Sequence, residues 1–306
     1  MIEIFENYEV KKHTTFKIGG KVKKAAFPSD IKELVDLLKT GEYDYVLGNC
    51  SNVLFSSENI DKKIIFTEKI NSYFINGCRV HVSCGTRGPL ISYECQKNSL
   101  SGFEFLIGFP GSFGGMIYMN ASAHNQSISD CIVSADVYNP EDKNILHLKK
   151  DDLGFKYRYS NAAKKNYIVL SAEFELKKGV AENIDEIMQR NIEFRKTHQP
   201  SLTYPNAGSI FKNPLNDSAG RLLDLCELKG TKVGGAEVFK NHANFIINIG
   251  EATSQDVITL MYKMYSKVRE KYTIELNPEI KYIGNEGTKE AKLWEIMTVN
   301  SAMMPK

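Results

Sequence analysis

Three residues carry side chains that could act on a substrate: Arg158, Ser209 and Glu279. A guanidinium can hold a carboxylate through two parallel hydrogen bonds, and a hydroxyl can donate a proton when its neighbours assist. A glutamate in apolar sequence needs a partner, because burial of an unpaired charge costs free energy. Ser209 does not lie in the Gly-x-Ser-x-Gly pattern of hydrolase nucleophiles. Taken one at a time, these residues are better interpreted as a salt-bridge arginine, a turn serine and a salt-bridge glutamate.

Two glycine-containing segments could bind phosphate groups. Residues 48–52 directly follow an apolar strand pattern, so their backbone N–H groups can point at an anion. Residues 108–115 contain four glycines and a proline, which let the backbone approach a ligand closely. Neither segment has the Walker or the Rossmann glycine spacing. Taken alone, the first is better interpreted as a polar turn, and a tight internal turn stays open for the second.

The composition limits the classes of partner. Of the 306 residues, 42% are hydrophobic and 25% are charged, as in a globular protein with a core. The net charge of +2 gives no reason to expect a nucleic acid or an acidic membrane. The six cysteines show no CxxC spacing, so we expect scattered buried thiols and no metal site. The sequence shows neither an apolar leader nor a run of membrane-spanning length, so we expect a cytoplasmic protein.

Strand and helix patterns alternate along the chain. Ser29 is expected to cap the first helix, and Thr253 with Asp256 forms a capping-box pattern before a long amphipathic helix. Pro200 ends another helical pattern, because proline disfavours helix at the preceding residue, and we place the main domain boundary there. The tail after Gly284 is expected to be either a docking helix or a loosely held extension. The sequence predicts strands at 22–27, 43–47, 63–67, 79–84, 131–138, 167–176 and 244–248, and a helix at 88–98.

The order of these segments resembles the UDP-N-acetylenolpyruvylglucosamine reductase family, or MurB family, of peptidoglycan synthesis. The resemblance covers roughly residues 8–284. Between Arg158 and Ser209 there is no room for the extra loop that one subgroup closes over its substrate, so the chain resembles the shorter subgroup. The matching segments are residues 13–20, 108–120, 206–214, 234–236, 242–245 and 278–279.

The resemblance implies an α+β fold. An FAD-binding module of the vanillyl-alcohol-oxidase (PCMH) type is followed by a C-terminal α+β substrate-binding domain. The two FAD-binding subdomains are expected at residues 1–60 and 61–197, and the substrate-binding domain at residues 198–284. Residues 285–306 lie outside the resemblance and receive no role, and no oligomeric state is indicated.

The activity implied is an NADPH-dependent reduction with noncovalently bound FAD. NADPH reduces FAD, and the hydride then passes from flavin N5 to the enolpyruvyl group of UDP-N-acetylglucosamine enolpyruvate, which gives UDP-N-acetylmuramate. By resemblance, Arg158 and Glu279 act on the substrate carboxylate as negative charge builds beside it, and Ser209 is the general acid. Asn213, and more weakly Lys212, are expected to contact the substrate diphosphate.

The cofactor contacts implied by the resemblance include two departures from the family pattern. Where the family usually has Gly-Gly-Gly-Ser-Asn, this chain has Asn49 and Cys50 in place of two glycines; asparagine tolerates a positive φ better than cysteine. Ser122 and His124 stand where the family commonly has glycine and tyrosine, and His124 is expected either to face the flavin or, more simply, to lie on the surface. The expected cofactor-binding residues are Gly48, Asn49, Cys50, Ser51, Asn52, Gly111, Ser112, Gly114, Gly115 and Asn120.

Two other functions stay open at this point. One is a different FAD oxidase of the same superfamily, acting on alcohols or sugars; such an enzyme has no reason to share Arg158, Ser209 and Glu279, and often tethers its flavin to histidine or cysteine. The other is a catalytically inactive protein that binds flavin or a nucleotide sugar, which the presence of all three residues disfavours.

Overall fold

The computed structural model describes residues 2–201 and 203–302, with side chains as far as residue 298. The strands are β1 Glu3–Glu9, β2 Lys21–Phe27, β3 Tyr45–Leu47, β4 Val53–Phe55, β5 Ile60–Phe66, β6 Tyr73–Asn76, β7 Arg79–Ser83, β8 Leu100–Ser101, β9 Ser122–Ala123, β10 Gln126–Ser127, β11 Ile132–Asn139, β12 Asn144–Lys149, β13 Ile168–Glu175, β14 Lys177–Lys178, β15 Lys232–Val233, β16 Ala236–Val238, β17 Ile246–Asn248 and β18 Lys281–Ile283. The helices are α1 Ile31–Thr40, α2 Gly88–Lys97, α3 Phe113–Tyr118, α4 Ile128–Cys131, α5 Lys150–Leu153, α6 Asn161–Lys164, α7 Ala181–His198, α8 Ala219–Leu225, α9 Ser254–Tyr272 and α10 Lys289–Ala302.

The chain forms two compact units, each built from separate stretches. The first unit consists of Met1–Glu6, Lys24–Asn49 and Lys62–Arg195, and the second of Asn7–Lys23, Cys50–Asp61 and Lys196–Lys306. This division differs from the four consecutive ranges expected from the sequence. Pairing explains the difference for the second stretch, because β4 lies parallel to β18. It also explains the first, because the Gly20 N–H donates to the Ser56 carbonyl oxygen at 2.8 Å.

Most residues of the two principal sheets belong to the first unit. One has the strand order β1-β2-β5-β3, with β3 parallel to β5, and α1 buries Leu34 and Leu37 in the same cluster as Ile65. The other is antiparallel, in the order β12-β11-β13-β7-β6. Its core includes Phe103 and Phe113 of the glycine-rich region, residues 102–115, and the ring centroids of these two residues lie 5.7 Å apart. The glycine-rich region is therefore anchored by aromatic packing.

The second unit is organised around α9. The small sheet β15-β16-β17 is antiparallel, and the apolar face of α9 enters a cluster with Ile246 of that sheet. The capping box expected at Thr253 and Asp256 is confirmed, since the Thr253 hydroxyl accepts from the Asp256 N–H and the Asp256 carboxylate accepts from the Thr253 N–H. Burial of the periodic residues, including Leu260 and Met264, fixes the helix on this unit.

The expected cap of the first helix was wrong by one residue. Asp30, with an extended backbone at φ −147°, is the N-cap, and its carboxylate accepts from the Glu33 N–H at 2.8 Å. The backbone and hydroxyl of Ser29 instead donate to the Glu33 carboxylate. An aspartate and a serine are both good caps, and the position of the first helical turn decides between them.

The tail is a docked helix in the part that the structure describes. On α10, Leu293 and Trp294 pack against the α9 cluster, and Met297 is buried within it. The buried carboxylate of Glu290 accepts from the Ser254 and Tyr282 hydroxyls, each at 2.6 Å. Burial, reinforced by the Glu290 carboxylate, raises the pKa of Tyr282, so this phenol stays protonated and donates.

Replacing Glu290 with alanine should destabilise the second unit by about 2–3 kcal/mol, because two hydroxyl groups lose their acceptor in a buried setting. Chemical denaturation followed by circular dichroism measures this loss. Glu295→Ala, an exposed change on the same helix, should stay within about 0.5 kcal/mol of the unchanged chain. Equal stability of the two variants would show that the Glu290 contacts do not hold the tail.

Candidate functional site

The two glycine-containing turns lie against each other in the first unit. A Cβ built on Gly48 would fall 1.9 Å from the Ser112 Oγ, so a larger residue here would require the Ser112 hydroxyl to move. The Asn49 side-chain amide donates to the Pro110 carbonyl oxygen at 3.0 Å. Residues 48–49 and 110–112, which the sequence assigns to one cofactor, are therefore brought together.

The second turn leads into α3, and its glycines differ in their surroundings. The Phe113 and Gly114 N–H groups donate to the Thr86 and Cys84 carbonyl oxygens at 2.9 and 2.8 Å. The Gly114 amide is thus engaged within the protein, and a Cβ there would lie 3.0 Å from the Cys84 Cβ. Gly115 is exposed, and a Cβ there would meet no atom within 4 Å. Gly115 therefore presents an open backbone face.

Residues Cys50, Ser51 and Asn52 belong to the second unit. Cys50 is buried and has a φ of 49°, a left-handed conformation that cysteine adopts at a cost and glycine does not. The residue less suited to a positive φ thus occupies the position that has one. The Asn52 side chain donates to the Glu279 carbonyl oxygen at 3.1 Å. The backbone carbonyl oxygen of Asn52 accepts from the Lys281 N–H at 2.9 Å. Asn52, expected to contact the cofactor, supports the segment that carries Glu279.

A short ladder of backbone hydrogen bonds in the second unit joins the segment that carries Ser209 to the segment that carries Glu279. The Glu279 N–H donates to the Ile210 carbonyl oxygen, and the Lys212 N–H donates to the Asn277 carbonyl oxygen, both at 2.8 Å. Glu279 is buried and Ser209 is half-buried. Because the ladder pairs residues 210–212 with 277–279, the serine and the glutamate are held on adjacent strand-like segments. Glu279 lies two residues before β18.

Asn244 locks this ladder from the other side. Its side-chain oxygen accepts from the Phe211 N–H at 2.9 Å, and its side-chain nitrogen donates to the Phe211 carbonyl oxygen at 2.8 Å. Asn244 is 3% exposed, so both bonds are shielded from water. The sequence contains Asn244 in a matching segment, but gives no sign of this role, because the contact joins residues 33 positions apart.

The two expected diphosphate contacts flank the same ladder. The Lys212 side chain is half-buried, and Asn213 is exposed with its side-chain oxygen accepting from the Ala219 N–H at 3.1 Å. Asn213 therefore meets the start of α8. These positions agree with residues that could face a ligand beside Ser209, and their expected role stays a prediction.

Arg158 lies in the first unit, on a tight turn with reciprocal backbone bonds between Lys156 and Tyr159 at 3.1 and 3.2 Å. Its φ is 51°, and its guanidinium lies 5.4 Å from the Tyr157 ring centroid. Asn120, which the sequence assigns to the cofactor, donates to the Lys156 carbonyl oxygen and accepts from the Ser129 N–H, each at 3.1 Å. Asn120 is buried, and both ends of its amide are engaged with protein.

His124 packs edge-to-face on Phe194, with ring centroids 5.3 Å apart. Burial, followed by the positive charge of Arg195, lowers the pKa of His124. Arg195 itself lies over the Phe109 ring, 5.9 Å from its centroid, and against Gly108. From the sequence, His124 was expected either to face the flavin or to lie on the surface. In the structure it is half-buried within the first unit.

The cysteines and acidic residues do not form a metal centre within the described part of the chain. Residues 2–201 and 203–302 contain no group of three or more His, Cys, Asp or Glu side chains that could hold a metal ion. The six cysteines all lie in the described residues and form no disulfide, and Cys50, Cys84 and Cys95 are buried. Burial raises the pKa of the Cys84 and Cys95 thiols to about 12, so both stay protonated. No helix in the described residues is both long and apolar enough to span a bilayer.

The first-unit residues fit a dinucleotide cofactor. The two glycine-containing turns are in close contact where Gly48 faces Ser112, and the backbone at Gly115 faces open space. Such a surface suits a diphosphate, which needs close approach of the backbone. Of the residues that the sequence assigns to this cofactor, Gly48, Asn49, Gly111, Ser112 and Gly115 lie at these turns, and their contact with it stays a prediction.

Comparison with known proteins supports both the expected FAD-binding module and the expected C-terminal domain. Residues 23–148 match the family described as FAD binding domain, and residues 199–283 match UDP-N-acetylenolpyruvoylglucosamine reductase, C-terminal domain. The expected FAD is thereby confirmed, as is the fold class of a PCMH-type α+β FAD-binding module followed by a C-terminal α+β domain.

Similar proteins share most of their length with this chain. UDP-N-acetylenolpyruvoylglucosamine reductase of Caldicellulosiruptor bescii is 40% identical over 289 residues, which cover 92% of this chain and 91% of the relative. The protein of that name from Lactococcus lactis (strain MG1363) is 37% identical over 284 residues, with 92% and 94% covered. The crystal structure of UDP-N-acetylenolpyruvylglucosamine reductase (MurB) from Thermus caldophilus superimposes with a TM-score of 0.78 at 32% identity, covering 92% of this chain and 98% of that one. From the two halves and these comparisons, the chain belongs to the UDP-N-acetylenolpyruvoylglucosamine reductase family.

Proposed function

We propose that this protein catalyses the NADPH-dependent, FAD-mediated reduction of UDP-N-acetylglucosamine enolpyruvate to UDP-N-acetylmuramate, a step of peptidoglycan precursor synthesis. The observation that carries the proposal is the backbone ladder of the second unit, which holds Ser209 and Glu279 on neighbouring segments in a member of this family. An oxidase acting on alcohols or sugars has no use for this pair together with Arg158.

The bound FAD, once reduced by NADPH, supplies the hydride. The protein has to manage the charge that appears on the substrate. When hydride adds to the terminal carbon of the enol ether, negative charge develops at the adjacent carbon and spreads into the carboxylate. Groups that stabilise this charge more than the ground state accelerate the reaction. We assign this role to Arg158, whose planar guanidinium suits a carboxylate, and to the buried Glu279 acting on the same carboxylate.

Ser209 is assigned the proton transfer that completes the reduction. A hydroxyl is a weak acid, so its position relative to the accepting carbon matters more than its acidity. The N–H of Gly208, a residue with a φ of 79°, donates to the Asn206 side-chain oxygen at 2.9 Å. The Ile210 N–H donates to the backbone carbonyl oxygen of Asn244 at 2.9 Å. The backbone on each side of Ser209 is thereby fixed. Lys212 and Asn213, on the same segment, are assigned to the substrate diphosphate.

The function is tested by NADPH oxidation in the flavin-loaded protein, measured with and without UDP-N-acetylglucosamine enolpyruvate. We expect oxidation that depends on this substrate and yields UDP-N-acetylmuramate, identified by mass spectrometry. A flavin-loaded sample that oxidises NADPH at the same rate with and without the substrate would contradict the proposal. Acid precipitation should release yellow FAD into the supernatant, whereas flavin retained in the pellet would indicate a covalently tethered oxidase.

Ser209→Ala should keep FAD and its reduction by NADPH, and should slow the oxidation of reduced enzyme by the enolpyruvyl substrate about 10²–10⁴-fold. The reason is that the hydroxyl donates its proton in the second half-reaction and takes no part in the first. Stopped-flow absorbance of the flavin separates the two steps. An equal loss in both half-reactions would assign Ser209 a structural role instead.

Gly115→Ala should weaken FAD binding about tenfold or more, equivalent to about 1.4 kcal/mol. The added methyl group meets no protein atom within 4 Å, so any loss comes from the ligand that occupies this space. The apoprotein should be unchanged or up to about 1 kcal/mol more stable, because alanine favours helix over glycine. Flavin titration and apoprotein denaturation measure the two effects, and unchanged FAD affinity would exclude Gly115 from the cofactor site.

A further inference from the structure

The guanidinium of Arg158 is held by a residue that departs from the family pattern. The Arg158 Nη1 donates to the Ser122 Oγ at 2.8 Å, and both residues belong to the first unit. Ser122 stands where the family commonly has glycine, which has no side chain to accept this bond. We propose that Ser122 is a positioning residue, which orients the Arg158 guanidinium for the substrate carboxylate; this inference rests on the proposed function.

The backbone at Arg158 is fixed, but the backbone alone does not orient the guanidinium. The turn is closed by the two bonds between Lys156 and Tyr159, and the positive φ of Arg158 marks a conformation that arginine adopts at a cost. An arginine side chain has several rotatable bonds beyond the backbone, and ordering them costs free energy when a ligand binds. A hydrogen bond at its end reduces that cost before the substrate arrives.

Ser122 is itself rigidly placed. It begins β9, which pairs with β10 in a small antiparallel hairpin. The turn residues His124 and Asn125 have φ values of 52° and 59°, as a tight hairpin turn with two left-handed residues requires. The position of the Ser122 hydroxyl is therefore set by the hairpin.

The hairpin and the Arg158 turn are tied together by two further bonds. Asn120, two residues before the hairpin, donates to the Lys156 carbonyl oxygen at 3.1 Å. Ser160, immediately after the turn, donates its hydroxyl to the Tyr118 carbonyl oxygen at 2.7 Å. The hydroxyl of Ser122 and the backbone of Arg158 consequently form one rigid arrangement. The hydrogen bond to Ser122 and the position of the guanidinium over the Tyr157 ring together restrict where its other donors can lie.

The experiment compares Ser122→Ala, Ser122→Gly and Ser122→Thr in the flavin-loaded protein. The alanine and glycine variants should lower kcat/KM for the enolpyruvyl substrate about three- to tenfold, because the guanidinium must be ordered during binding. Threonine keeps a hydroxyl and should restore most of the loss. Reduction of FAD by NADPH should be unchanged in all three variants. Ser129→Ala, in α4 just after the hairpin, is the matched control and should retain full activity, since its hydroxyl contacts Ser127.

A double-mutant cycle with Arg158→Ala separates positioning from general stability. Substrate binding to the oxidised enzyme, followed by the flavin absorbance, gives a dissociation constant even where turnover is slow. Ser122→Ala should weaken binding in the presence of Arg158 and have no effect in its absence. An equal effect in both backgrounds, or no effect in either, would overturn the inference while leaving an active wild-type protein and the proposed function intact. A wild-type protein that never reduces the enolpyruvyl substrate would overturn both.

Discussion

The double hydrogen bond between the Asn244 side chain and the Phe211 backbone is the contact on which the second half of the site depends. On its other side Phe211 faces Pro278 in an antiparallel bridge whose hydrogen bonds are made by the flanking residues, so the N–H and carbonyl of Phe211 point away from Pro278. The amide of Asn244 offers one donor and one acceptor, as a neighbouring strand would, and satisfies both Phe211 groups. Buried backbone groups left unpaired would cost free energy, so the segment carrying Ser209 has little freedom to move.

Asparagine side chains serve the same purpose elsewhere in the protein. Asn52 supports the backbone of Glu279, Asn120 supports the turn of Arg158, and Asn206 supports Gly208 beside Ser209. In each case a short amide reaches backbone groups of a segment that belongs to no regular sheet. Two of these residues, Asn52 and Asn120, were assigned to the cofactor from their place in the family pattern. Their side-chain amides make hydrogen bonds within the protein, which tie the segments of Glu279 and Arg158 to residues near the glycine-containing turns, and their contact with the cofactor stays a prediction.

The departures from the family pattern have different physical consequences. Cys50 occupies a left-handed position where the family has glycine, which costs conformational energy but gains a buried thiol. Ser122 also replaces a glycine, yet it adds a hydrogen bond to the guanidinium of Arg158. Replacing a turn glycine can therefore be either unfavourable or favourable. What decides the outcome is whether the backbone needs a positive φ and whether the new side chain finds a partner.

Local signals in the sequence determined most of the regular elements, because helix caps and apolar periodicity depend on residues three or four positions apart. The capping box at Thr253 and Asp256 is such a case. The predicted cap of the first helix was wrong by one residue because Ser29 and Asp30 are both competent caps. The family pattern determined which residues were candidates for catalysis and for FAD. Only the tertiary structure decided that residues 7–23 and 50–61 belong with the C-terminal part, that Asn244 holds the Ser209 segment, and that Ser122 meets Arg158. These contacts join residues far apart in the chain, and a hydrogen bond between them depends on how the chain folds, which spacing and residue type do not specify.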